Sequence, residues 1–507
     1  MKNHKLTTLL IISFLVLPFL VYPDSEEFLV NEYIEYIMQY GSDVAMSPEG
    51  DFIIVWISGT SGLDGIHARK FDKLADPLDE EFTVNLDVKG TTSELSIVMN
   101  DLDEFIVAWS GNDSNIKKNI VYAKKYPDNG ISEFEINVQD VPGFPSLAMD
   151  GDGNFVIVYE DEYDSSKRIF AKKYDRNRNL IKSFQIEPDT TFGQIYPSIA
   201  MNMSGNFVVA WQCPEKDGSI FGIFAKRFDD EANPIGEEFQ VNTTTYQSQH
   251  EPVVSIADNG KFIIVWESYM QDGSGEGVYA QLYDSDGKPI EGEFRVNTFI
   301  ENDQQEPSVA MDSIGNFVVT WRSGWDYNDP NSGQDGSCNG IFAQRFDVNG
   351  NKIDEEFQVN TYIQYDQAHP SVAMDSDGDF IVTWSGPQEN SEFRQVYAKH
   401  YQVNPITREP TIDIRSNGTT FIPGYNLRIF VTVDCRYAGA VDMFACTQLS
   451  GNFYWYPTWD ILPVPTELED EKFDETIVEI KLTEDRPIGS YTFYAAITEH
   501  GNPENVL

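Results

Sequence analysis

Residues 315–321 read GNFVVTW, and six variants of that phrase recur: GDFIIVW (50–56), DEFIVAW (103–109), GNFVIVY (153–159), GNFVVAW (205–211), GKFIIVW (260–266) and GDFIVTW (378–384). Their phenylalanines stand at 52, 105, 155, 207, 262, 317 and 380, so successive copies lie 53, 50, 52, 55, 55 and 63 residues apart. Self-similarity at such a period marks a repeat architecture. Three further segments recur around each copy. A PSVAMD-like segment precedes it, as at 145–150, 197–202, 307–312 and 370–375. A GIFAQRFD-like segment follows, starting at Gly65, Asn119, Arg168, Gly222, Gly277, Gly340 and Gln395. An EFQVN-like segment starts at Glu27, Glu81, Glu133, Ser183, Glu238, Glu293 and Glu356. All four are short, β-branched or aromatic, and bounded by Gly, Asn, Asp or Pro, which is the signature of strands.

Four short strands in about 50 residues is the period of a propeller blade. The fold class is therefore all-β: a seven-bladed β-propeller over residues 26–404, followed by a small β-sandwich. The order of segments predicts how the ring closes. The segment from Glu27 to Asn31 precedes the first complete blade, and the seventh blade ends after Tyr401 without a strand of that type. The N-terminal strand can supply it. Small Ser, Ala and Val in the PSVAMD segment suit the crowded innermost strand. The recurring Trp series reads as packing between blades.

The units also resemble a known type. Tandem repeats of the form EFQVNT, PSVAMDSDGNFVVTW, DGSG and GIFAQRFD occur in large secreted and surface proteins of bacteria and some archaea. The resemblance covers about three quarters of the chain and carries no catalytic motif. It implies an extracellular propeller of unassigned activity.

From Thr411 the repeat stops. Alternating stretches such as NFYWYPTW and GSYTFYAAIT predict an immunoglobulin-like sandwich over 411–507. At the other end, Met1 to Pro23 pairs Lys2 and Lys5 with an apolar run, as an export signal does. Retention of that segment as an anchor is the alternative, and no other membrane insertion is expected. The chain is placed outside the cell, on its surface or in a periplasm. Export permits disulfides, and Cys435 and Cys446 flank a predicted hairpin that a bridge could cross. The formal net charge of −47 excludes nucleic acid as a partner, because such partners require a basic surface.

Function has fewer handles. The acidic turns Asp150, Asp152 and Asp375, Asp377, Asp379 are candidate calcium ligands, though hairpin turns explain them as well. Gln249, Gln304 and Gln367 each lie three residues before an inner strand, and read either as loop scaffolding or as ligand contacts. The loop between Trp321 and Gly340 is longer than its counterparts and carries Trp325, Asp326, Tyr327, Asp329 and Asp335, so it is a candidate ligand-binding insertion. Trp455 and Trp459 are candidates for stacking on sugars. The six His show no metal-binding spacing, and neither a phosphate loop nor a nucleophile elbow is present. The leading expectation is an extracellular recognition or adhesion protein that binds a glycan or protein through the propeller rim, and the balance tips against an enzyme. The alternatives are a carbohydrate-active lyase or glycosidase and a structural surface-layer component. An enzyme predicts carboxylates converging with a basic or Tyr partner in one rim pocket.

Overall fold

The computed structural model describes residues 26–403 except 33–37, 61–62, 86–91, 114–117, 128–132, 139–142, 164–165, 189–190, 325–331 and 388–392; beyond 403 it describes the backbone of six strands. Asp24–Val403 forms one compact unit. It contains seven four-stranded antiparallel sheets. Blade 1 starts with the inner strand Met38–Met46, and blades 2 to 7 start with Thr92–Met99, Gly143–Met149, Ile195–Met201, Gln249–Ile256, Gln304–Met311 and Ala368–Met374. Each GNFVVTW-like segment is the second strand and each GIFAQRFD-like segment the third.

Alternation along the second strand builds the ring. In blade 6, Phe317, Val319 and Trp321 face the blade 5 side, while Val318 faces blade 7. Side chains of successive strand residues point to opposite faces, so one strand feeds two cores. Seven such cores occur, each shared by two neighbouring blades. One of them joins blade 7 to blade 1 through Ala373, Ile381, Val396 and Ala398 against Val44, Ile54 and Trp56, which closes the circle. Every blade also stacks the first residue of its second strand on the last aromatic of its third. Centroids are 5.1 Å apart for Phe52 and Phe71, and 4.5 Å for Phe105 and Tyr126. The same pair recurs through to Phe380 and Tyr401 at 4.6 Å.

Closure follows the predicted route. Phe28–Leu29 pairs antiparallel with Arg394–Tyr401 as the outer strand of blade 7. Val30 is fully buried in the core between blades 7 and 1. Asn31 donates from Nδ2 to Gln395 at 2.6 Å and accepts from the Val396 amide at 3.0 Å. Asn242, Asn297 and Asn360 accept equivalent amides in blades 4 to 6. The fastening strand thus repeats an ordinary blade contact, in trans along the sequence.

The inner strands are stitched in the same spirit. Ser146, Ser198 and Ser308 each accept an amide from the next blade. At the seam Asp43 replaces serine: it accepts from Ser371 of blade 7 and from the Ile97 amide of blade 2. Burial pushes its pKa up. Burial also raises Asp375 to about 7, with Asp379 adding repulsion, and raises Asp379 to about 6. A carboxylate raised in the folded state binds its proton more tightly there than in the unfolded chain, so it stabilises fully below the unfolded value near 4 and loses that contribution as pH climbs through 6 and 7. Glu293 runs the other way. Its burial penalty is outweighed by hydrogen bonds from Thr244 and Thr243, and its contribution is lost in acid. The thermal midpoint in chelator should therefore peak in mildly acidic buffer and fall by about 5 °C between pH 5.5 and 8.5. A midpoint that rose across that interval would remove these buried acids from the account.

Past residue 403, Ile412–Ser416, Arg428–Asp434, Ser490–Ile497 and Phe453–Tyr456 form one antiparallel sheet, and Asp442–Ala445 pairs with Ile477–Lys481. This is strand content of the expected kind. The sandwich built from it remains a sequence expectation. Cys435, Cys446 and Met1 to Pro23 lie outside the described residues.

Candidate active site at the propeller mouth

Each inner strand enters its sheet through an irregularity. Pairing jumps from His250 to Val253, from Gln305 to Ser308 and from Ala368 to Ser371, with equivalent jumps in the other four blades. The bulged residue sits in the left-handed region every time: Gly41 (φ 61°), Glu94 (55°), Phe144 (49°), Tyr196 (54°), Glu251 (51°), Glu306 (56°) and His369 (56°). For residues other than glycine this conformation costs about 1–2 kcal/mol. A hydrogen bond from the preceding blade holds several of them. The Phe144 amide donates to Glu94 (2.7 Å), Tyr196 to Glu160 (2.6 Å), Glu251 to Gln212 (2.8 Å), Glu306 to Glu267 (2.6 Å) and His369 to Glu306 (2.7 Å). The fold therefore keeps one strained backbone in seven copies while the side chain changes from copy to copy.

Two of these positions, Glu306 in blade 6 and His369 in blade 7, border a cleft of about 420 Å³ that is also lined by Tyr40, Arg322 and Arg394 together with Met38, Gly59 and Ala368. Glu306 ties it together. Its Oε1 pairs with Arg322 Nε at 3.1 Å, and its Oε2 lies 3.5 Å from His369 Nδ1. Arg322 also donates to Gln305 at 2.7 Å. His369 is about half exposed.

Next to the cleft, in blade 5, lies a second titratable group. His250 Nε2 is 3.1 Å from Glu276 and its Nδ1 3.6 Å from Glu267. Burial raises Glu267 to about 8, with Glu251 adding repulsion. Glu251 is likewise raised, by burial first and then by Glu306 and Glu276. For His250 burial works against the charged ring, but Glu276 and Glu267 outweigh it and hold its pKa up. Ligand atoms of His250, Glu267 and Glu276 all lie within 4.8 Å of one another and could hold a divalent cation. One nitrogen and two carboxylate oxygens suit zinc or manganese better than calcium. The sequence spacing of the His gives no hint of this cluster, because the fold assembles it from the start of an inner strand, the end of a second strand and the start of a third.

The sequence candidates fall elsewhere. Gln249, Gln304 and Gln367 are buried, and their amides donate to the loop carbonyls of Tyr246, Glu301 and Gln364. They hold the loops that precede the inner strands. Asp335 accepts the Ser337 amide in a turn that Asp217 and Asp272 repeat with Ser219 and Ser274. Trp325, Asp326, Tyr327, Asp329 and Trp459 lie outside the described residues, and of the Trp455 side chain nothing is described. In the acidic turns, Asp150 accepts from the backbone and side chain of Asn154, while Asp375 accepts the amides of Asp377 and Asp379. Asp379 accepts Val403, and Asp152 is exposed. Cys213 is buried with its thiol directed at the Pro214 carbonyl, and Cys338 is partly buried.

The residues that sequence reasoning missed had a signal. The position after the conserved Trp reads Ile57, Ser110, Glu160, Gln212, Glu267, Arg322 and Ser385. The position before the inner-strand Pro reads Phe144, Tyr196, Glu251, Glu306 and His369. Both vary within an otherwise repetitive context.

No protein-family model matches the chain, and no curated protein is similar to it in sequence. Among solved structures it is similar to a protein of unknown function from Dyadobacter fermentans DSM 18053, at 10% identity over 75% of this chain and 98% of that one, with a TM-score of 0.46. It is also similar to a PL25 ulvan lyase (10%, 72% and 94%, 0.43) and to an α-L-arabinanase of Penicillium chrysogenum (14%, 61% and 93%, 0.41). The expectation that tipped against an enzyme is corrected here. His250, Glu267 and Glu276 form a convergent, metal-capable set of titratable groups, of the kind that enzyme sites are built from.

Proposed function

We propose that the chain is an exported carbohydrate-active enzyme that cleaves a uronate-bearing polysaccharide by β-elimination at the propeller mouth. One observation carries the reading: in a chain of net charge −47, Arg322, Arg394, His369 and Tyr40 converge on one cleft. An elimination needs three things there. The uronate carboxylate must be neutralised so that its α-proton becomes acidic, a base must take that proton, and an acid must protonate the departing glycosidic oxygen. Arg322 and Arg394 face the carboxylate. His369, oriented through Nδ1 by Glu306, takes the C5 proton, and the electron pair forms the C4–C5 double bond as the C4–O bond breaks. The Tyr40 hydroxyl supplies the proton to the leaving oxygen. A divalent cation at His250, Glu267 and Glu276 would neutralise charge beside this cleft. The partner is an extracellular glycan, and the C-terminal strands read as an accessory sandwich.

A panel of acidic and neutral polysaccharides tests the reading. Lyase action yields new reducing ends together with ultraviolet absorbance from the unsaturated uronate. Reducing ends without that absorbance would convert the assignment to a hydrolase. Neither signal across the panel, with and without added zinc or manganese, would return the protein to pure recognition.

A further inference from the structure

The side of the mouth formed by blades 3 and 4 has a different chemistry. There the bulged positions carry Phe144 and Tyr196, whose ring centroids are 4.3 Å apart and tilted by 45°. Both are only partly buried. Neither belongs to any of the seven inter-blade cores. Lys167 Nζ stands 6.0 Å over the Phe144 ring and pairs with Glu160 at 2.8 Å. Glu160 in turn holds the Tyr196 amide at 2.6 Å, and Glu94 holds that of Phe144 at 2.7 Å.

The repeat does not require aromatics here, since the other five copies carry Gly41, Glu94, Glu251, Glu306 and His369. A bulky side chain with positive φ is an outlier that needs a compensating contact or a use. Core packing is not the use, because these rings lie outside the cores. Aromatic faces with polar edges are surfaces on which the C–H face of a pyranose stacks, while Lys167 and Glu160 offer hydrogen bonds to its hydroxyls.

We infer that Phe144 and Tyr196 form a stacking subsite for an uncharged sugar of the same glycan whose uronate occupies the Arg322–His369 cleft. This rests on the proposed function for the second half only. The same circle of bulged residues carries both sites, so one chain entering the mouth meets an aromatic station on blades 3 and 4 and a cationic one on blades 6, 7 and 1. The preferred substrate is therefore a heteropolymer in which uronate and neutral residues alternate, rather than a pure polyuronate.

Affinity electrophoresis of the full chain through gels containing a polyuronate, a neutral polysaccharide or an alternating uronate–neutral polymer tests this without relying on turnover. The wild type should be retarded most by the alternating polymer. Phe144→Ala/Tyr196→Ala should weaken that retardation about tenfold, while Tyr196→Phe, which keeps the ring, should leave it within twofold. A thermal midpoint equal to wild type shows that the double variant is folded. Arg322→Ala should weaken binding of both uronate polymers and spare the neutral one. Unchanged retardation of a folded double variant, or none of the wild type by any neutral-containing polymer, would overturn the subsite. Loss of retardation in the double variant of a protein that produces no unsaturated uronate would keep the subsite and sink the lyase.

Discussion

Deleting residues 27–31 lowers the unfolding free energy of the propeller by about 5 kcal/mol, a large part of the 5–15 kcal/mol that a typical domain possesses. The figure is built from two residues. Val30 is fully buried between blades 7 and 1, and burial of such a side chain stabilises by about 1.5–3 kcal/mol. Asn31 holds Gln395 and the Val396 amide, and an orphaned buried donor costs about 1–3 kcal/mol. The Phe28–Leu29 ladder with Arg394–Tyr401 adds to this. The loss also falls at the seam of the ring, since the closure strand and blade 7 lie at opposite ends of the propeller sequence, and it leaves the Asp43–Ser371 bond and the core between blades 7 and 1 to hold the circle. The exposed edge of Arg394–Tyr401 then invites pairing with other chains. Urea unfolding should show the lowered midpoint, and a synthetic peptide of residues 26–32 added in trans should raise it again. An unchanged midpoint would mean that the inner-strand seam at Asp43 closes the ring unaided. The counterpart change Asn242→Ala should cost only its local hydrogen bonds, because its outer strand is continuous with its own blade.

Why this closure was legible in the sequence while the mouth was not is a matter of what repetition records. The phase of EFLVN against the other segments gives the topology directly, since a strand type that comes first and is missing last has one place to go. The Trp and Phe series give the cores, because each copy must pack on the next. Repetition also exposes scaffold residues that look functional: Asp335 and Gln249 are held in the same contacts as their counterparts in other blades. The mouth is opaque for the converse reason. Glu251, Glu306 and His369 share a backbone state rather than a residue type, and φ is invisible in composition. His250 and Glu276 are 26 residues apart and meet only because an inner strand and a third strand begin on the same rim. Arg322 and His369 stand at positions that change from copy to copy, not at those on which the copies agree.

Arg322→Ala should lower kcat/KM on a uronate polymer by about 10²–10³, and His369→Ala by about 10²–10⁴. The two losses have different causes and can be told apart. Arg322 meets the substrate carboxylate, so its removal should matter little on a methyl-esterified polymer, whose carbonyl carries no charge to neutralise. His369 takes the proton from either substrate, so its loss should be equal on both. Glu306 touches neither, yet it pairs with Arg322 and orients His369, which makes it a positioning residue. Glu306→Gln keeps an oxygen for the His369 amide and removes the charge. It should lower kcat with little change in KM, because the Arg322 and His369 side chains lose the carboxylate that holds them. Loss of activity only in step with a lowered thermal midpoint would make Glu306 a structural strut. Equal losses for Arg322→Ala on the free and esterified polymers would take the guanidinium away from the carboxylate, and with it the reason for choosing elimination over hydrolysis.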